Sequence, residues 1–216
     1  MSPVSPASAP NPSPRWRRRA EARPEEILEA ALAEFDARGF EAARMEDIAR
    51  RANLSKAAIY LYFPSKMALL EALIEARVGP LARGVQQLAN SGAADPMAAL
   101  RVLATMAAHK LSDPSLFAVP RLVIGLSGRF PEIAKYYREH VVEKARGALE
   151  TLIEAAMAKG QLRRADKSAV ARAFIGPLFF EAMWTHVLGG ETALHLPQKL
   201  IEQQFDVLLN GLEPRA

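Results

Sequence analysis

The sequence predicts an all-α fold. Ala and Leu abound, while β-branched residues are scattered and nowhere alternate, which favours helix over strand. Apolar residues recur at three- to four-residue spacing along most of the chain. Pro, Gly, Asn and Asp punctuate these stretches at positions that start or stop helices. The chain has 216 residues, 50% hydrophobic and 24% charged, a balance that can bury a real core.

Taken in order, residues 1–14 carry Pro3, Pro6, Pro10, Pro12 and Pro14 and are expected to be disordered. They lie within a basic arm over residues 1–20. A first helix is expected to start near Pro24, with Glu25 and Glu26 in its first turn. Ile27, Leu28, Ala31, Leu32 and Phe35 form its apolar stripe; Gly39 ends it and frees Phe40 to fold back beneath it. A short helix from about Met45 to Arg51 follows, then a tight turn at Ala52-Asn53-Leu54. Ser55 caps a third helix through Tyr62, and Ser65 caps a fourth over Lys66 to Arg77. Gly79-Pro80 restarts the chain. Asp95-Pro96 opens a helix to about Leu111, and Asp113-Pro114 another to about Ser127, with Pro120 a candidate kink. Pro131 opens a long helix to Lys159. Asp166 caps the next, to Leu188, and Pro197 begins the last, to Leu209. These elements divide into units over residues 21–81 and 82–216.

Net charge is +4, and its location says more than its size. Arg15, Arg17, Arg18, Arg19 and Arg23 face only Glu21; Arg44, Arg50, Arg51, Lys56 and Lys66 face only Glu46 and Asp47. Cations placed there suit phosphate binding; a solubilising tail and an ordinary solvated face would look the same. The absence of cysteine removes disulfides, thiolate metal sites and cysteine nucleophiles. The N-terminus lacks the apolar segment of a signal peptide, and no apolar run approaches the roughly 20 residues that span a bilayer. A soluble, cytoplasmic protein without membrane contact is the expectation.

Two short helices joined by a tight turn have a common use, with the second helix lying in the major groove of DNA. Ala57 and Ala58 allow close approach to base edges, and an alanine methyl can touch a thymine methyl. Lys56 can reach guanine acceptors or a phosphate. Tyr60 and Tyr62 can bond phosphates, and Lys66 and Arg44 lead helices whose positive ends favour anions. The candidate DNA-binding set is Arg44, Met45, Glu46, Ser55, Lys56, Ala57, Ala58, Tyr60, Leu61, Tyr62 and Lys66. Ile59, Tyr60 and Phe63 equally fit a plain helical core.

The stretches Ile27-Leu28-Glu29-Ala30-Ala31, Phe35, Gly39-Phe40, Asp47-Ile48-Ala49, Leu54-Ser55-Lys56, Ile59-Tyr60-Leu61-Tyr62-Phe63 and Ser65-Lys66 closely resemble the N-terminal domain of the tetracycline-repressor (TetR) family. The resemblance covers roughly residues 21–81. It implies a three-helix DNA-binding domain, a fourth helix linking it to a helical ligand-binding and dimerisation domain, and a homodimer on a palindromic double-stranded operator. Three positions depart from the family pattern. Ala43-Arg44 replaces the usual hydroxyl pair, Asn53 the usual turn glycine, and Ala57-Ala58 the frequent Gly-Thr. Direct reading of sequence then falls on Lys56 and on methyl contacts.

Residues 82–216 offer no nucleophile motif, phosphate loop or metal-ligand spacing: His109, His140, His186 and His195 are scattered. No enzyme and no cofactor is expected. Apolar residues of the middle helices are candidates to line a cavity for a small-molecule effector, with Met106, His109, Phe117, Arg121, Phe179, Met183 and Trp184 as ligand contacts. Each equally fits plain core. Arg121-Leu122-Val123-Ile124-Gly125, Arg129-Phe130-Pro131-Glu132 and Gly160-Gln161-Leu162-Arg163 look like the C-terminal domain of an AefR-like subset of the family. The resemblance further implies that the last two long helices pair with their symmetry mates. The reading that results is a homodimeric repressor released from its operator by a lipophilic ligand, with an activator or a non-DNA-binding interaction protein as alternatives.

Overall fold

A computed structural model describes residues 14–191 and 197–210. The proposed arm over 1–20 lies partly outside these residues. The part within them, from Pro14, is helical: α1 runs Pro14–Ala42 and starts ten residues before Pro24, which sits inside it. Arg and Ala are strong helix formers, and their propensity carries the helix through this stretch despite the missing proline N–H. Gly39 (φ 77, ψ 157) breaks the helical path near its end. That conformation is open to glycine and lets Phe40 turn back until its ring lies 5.2 Å from that of Phe35.

Next come α2 (Met45–Arg51), α3 (Lys56–Tyr62) and α4 (Lys66–Arg77). Asn53 carries the left-handed conformation of the α2–α3 turn (φ 54). Two compact units emerge, one up to Ala72 and one from Leu73, with the division inside α4. The core of the first unit holds Ile27, Leu28, Ala31, Phe35, Phe40, Met45, Ile48, Ile59, Leu69 and Leu70.

In the second unit, α5 (Gly79–Ser91) ends in a 3₁₀ turn, and α6 (Pro96–Leu111) and α7 (Pro114–Leu126) follow, each with an aspartate cap. Asp95 accepts from the Ala98 N–H and Asp113 from that of Ser115. The single long helix expected over 131–159 is instead interrupted: α8 (Pro131–Tyr137) passes through a π turn, Arg138–Val142, into α9 (Glu143–Ala158). At the turn the His140 ring stacks on Tyr136 at 4.0 Å, and its Nδ1–H donates to the Tyr136 carbonyl at 3.0 Å. Burial pushes the neighbouring Tyr137 hydroxyl up to about 12. Then come α10 (Lys167–His186), capped by Asp166, and α11 (Pro197–Asn210). Leu100, Leu103, Leu149, Leu152, Phe174, Leu178, Ile201 and Phe205 join α6, α9, α10 and α11 in one core.

Candidate nucleic-acid interface

The geometry of α3 follows from one buried anchor and one cap. Ile59 is fully buried and is the only α3 residue that is. Ser55, in extended conformation, accepts the Ala58 N–H on its Oγ at 3.2 Å and so satisfies one open N–H of the first turn. With Ile59 inward, the other faces of the seven-residue helix are open. Lys56, Ala57, Tyr60, Leu61 and Tyr62 are exposed, Leu61 at 87%, while Ala58 is half-buried.

The α2–turn–α3 unit is tied to α1 by charge. Glu34 is buried on α1; Arg38 Nε lies 2.9 Å from one of its oxygens and Arg51 Nε 3.5 Å from the other. Arg38 also reaches Asp47, which Arg50 holds at 2.7 Å. Asp47 is thus committed to a structural network and stands 15% exposed.

The other DNA candidates divide by environment. Arg44 precedes α2 in extended conformation, is exposed and makes no side-chain cap on the helix. Met45 is a correction: at 6% exposure its side chain belongs to the core, because the first turn of α2 packs inward. Lys66 is redirected as well. Its ammonium donates to the Glu41 and Ala43 carbonyls, each at 2.9 Å, and lies 4.8 Å from the centre of the Phe40 ring. Partial burial lowers its pKa. Two of its three N–H groups close the end of α1, so the expected phosphate clamp is first a staple within the fold.

Sequence spacing gave no sign of the partner of Lys56. Its Nζ lies 2.7 Å from Glu46 Oε1, across the turn from α3 to α2. The bond raises the lysine pKa and lowers that of the glutamate. Ten residues separate the two on different helices, outside the periodicities by which a single helix reveals its pairs.

Of the ligand candidates, the structure brings three together. Phe117 is buried; the Phe179 ring lies 5.8 Å away, and Met183 packs on the same cluster. His186, not a sequence candidate, adjoins them: its ring is 5.5 Å from Phe117 and its Nε2–H donates to the Leu111 carbonyl at 2.8 Å. Only the folded chain joins residues 111, 117 and 186. Trp184 looks elsewhere: its indole N–H donates to the Glu191 carbonyl at 3.1 Å, and its ring stacks on exposed Phe180. A Cβ on Gly190 would overlap that indole. Met106 and His109 are exposed on α6, and Arg121 is exposed on α7. Among the described residues, no cluster of three or more His, Cys, Asp or Glu has the makings of a metal site, and no single helix is long and apolar enough to cross a membrane.

Comparison with known proteins agrees with this architecture. Residues 27–73 match the model for bacterial regulatory proteins of the tetR family. Residues 98–206, half of the chain, match that for the AefR-like transcriptional repressor C-terminal domain. The HTH-type transcriptional activator FasR of Mycolicibacterium smegmatis is 40% identical over 77 residues, covering 36% of this chain and 33% of its own length. The chain therefore aligns with about a third of that curated relative. The structure of the flavonoid-responsive regulator FrrA is 31% identical over 91% of this chain and 100% of its own, with a TM-score of 0.68. A TetR-family regulator from Mesorhizobium loti shares the fold, with a TM-score of 0.73 over 89% of this chain and 97% of its own at 20% identity. By its two matched domains and by its likeness to FrrA over nearly its full length, the chain belongs to the TetR family of transcriptional regulators.

Proposed function

We propose that the chain is a homodimeric repressor that reads a palindromic operator through α3 and leaves it when a lipophilic small molecule binds the second unit. One observation carries the DNA reading: α3 is held by Ile59 and the Ser55 cap and turns Lys56, Ala57, Tyr60 and Leu61 outward together. Lys56 then meets guanine acceptors, Ala57 and Leu61 offer apolar contact to thymine methyls, and Tyr60, Tyr62 and Arg44 bond phosphates. Residues 21–81 act as the DNA-binding domain and 82–216 as the sensor and dimer domain.

Dimerisation is supported by large apolar side chains left exposed on the last two helices. Phe180, Trp184, Val187 and Leu188 stand 42–64% exposed at the end of α10, with Val207 and Leu209 on α11. A second copy applied by two-fold symmetry would cover them. Reading two half-sites one turn of DNA apart would require the two α3 helices of such a dimer to lie about 34 Å apart. For the effector, Phe117, Phe179 and Met183 supply apolar contact and His186 a polar anchor. The name of FrrA, a flavonoid-responsive regulator, supports an aromatic, lipophilic class. Because α4 runs unbroken from Lys66 to Arg77 across the division between the units, it is the lever by which the sensor moves α3.

DNA and effector then prefer different states, and each weakens the other by the same factor. Fluorescence anisotropy on a duplex from the region flanking the chain's own gene, with and without a panel of flavonoids, tests this. An effector that binds without changing DNA affinity defeats it. FasR, an activator by name, favours a second reading in which the same contacts recruit transcription. A reporter assay in the deletion strain separates the two by sign.

A further inference from the structure

Glu46 is out of place on a surface that meets phosphate. Between residues 42 and 65 the chain has two acidic residues, Glu46 and Asp47. Asp47 is turned into the network with Arg38 and Arg50. Glu46 remains on the outer side of α2 at 39% side-chain exposure, with its carboxylate 2.7 Å from the Lys56 ammonium. Arg44, just before α2, and Tyr60, on α3, are the other charged or titratable side chains that act on this pair. A lone carboxylate there repels every phosphate alike, and that cost falls on random and cognate DNA equally unless it is tied to a group that tells them apart.

We infer that Glu46 is a specificity-determining residue that cages the Lys56 ammonium, withholding this cation from phosphates and yielding it only to a base edge in register. Against a random duplex, leaving Glu46 for one phosphate exchanges one charge-assisted contact for another and gains little. Against the right base pair, Lys56 donates to guanine O6 and N7, and the freed carboxylate can accept from a cytosine amino group nearby. The pair thus lowers affinity for bulk DNA more than for the operator. Beside Lys56 on α3, Ala57 is exposed and Ala58 half-buried, and both carry only a methyl group.

The inference rests on α3 as the reading helix. Its test uses the full-length chain, a duplex recovered from a randomised pool by selection with the wild-type protein, and a random duplex of about three helical turns. Both are titrated over a range of salt with wild type, Glu46→Gln, Lys56→Ala and the double variant. Glu46→Gln is expected to tighten random binding and steepen its salt slope by about 0.9 for each lysine freed, with a smaller gain on the selected duplex. The double variant is expected to lose that steepening, and Lys56→Ala to weaken selected binding more than random binding. The same steepening in Glu46→Gln and the double variant would show that the carboxylate acts without Lys56 and overturn the inference. So would an unchanged slope and affinity for Glu46→Gln beside a wild type that discriminates. A wild type that enriches no sequence from the pool and does not bind the random duplex would instead refute α3 as the DNA-reading helix, and the cage with it.

Discussion

At the scale of single residues, the first unit depends on two charged side chains turned inward. Glu34 is buried with two arginines for company. Glu34→Ala leaves Arg38 and Arg51 without their shared anion and opens space beneath α1. We expect a loss of about 2 kcal/mol in urea denaturation. Lys66 makes two hydrogen bonds to carbonyls at the end of α1. Lys66→Met keeps a side chain of similar length but removes both, together with the ammonium over the Phe40 ring. It is expected to cost about 1.5 kcal/mol of stability, with DNA affinity per folded molecule changed by less than it is in Lys56→Ala. The converse result, intact stability with a large loss of DNA affinity, would restore Lys66 as a phosphate clamp. A lysine at a helix start suits either role, and only the carbonyls of residues 41 and 43 decide which it plays here.

At the scale of elements, the turn between α2 and α3 stands on Asn53 in the left-handed region. Asn53→Ala is expected to destabilise by about 1 kcal/mol and Asn53→Gly to be neutral or slightly stabilising, both read by thermal melts. The π turn offers a spectroscopic check. Burial holds Tyr137 protonated up to about 12. In the folded chain Tyr137 should therefore ionise late in an ultraviolet titration, and Tyr137→Phe should remove that late step. Because the hydroxyl's pKa is raised on folding, this group is neutral to stability below the ordinary tyrosine range. It subtracts stability as pH rises from about 10 towards 12.

Much of this element structure was legible in the sequence because its signals are local. Ser55, Asp95, Asp113 and Asp166 each cap the helix expected of them, and Gly39 turns the chain where the apolar stripe of α1 ends. The rest was illegible for a physical reason in each case. The π turn shifts a helix by one residue without a proline or glycine to mark it. The start of α1 lay hidden behind Pro24, normally a first-turn residue. The environments of Met45 and Lys56 depend on which face of a short helix packs inward, and seven residues carry too few apolar positions to fix that face; that of Lys66 depends on carbonyls more than twenty residues away. His186 joined Phe117 only through the packing of distant helices.

At the scale of the molecule, the proposed function couples dimerisation, DNA reading and effector release. Phe180→Asp, on the exposed end of α10, is expected to shift the chain from dimer to monomer in sedimentation equilibrium and to reduce operator binding with it. The central claim is that α3 reads a defined DNA sequence. Its most direct test is anisotropy of the full-length chain on a duplex from the region flanking its own gene against a random duplex at equal salt. A preference of about a thousandfold or more for the flanking duplex is expected, reduced in Lys56→Ala mainly through loss on that duplex. Equal affinity for the two duplexes, or a preference that Lys56→Ala leaves intact, would contradict it.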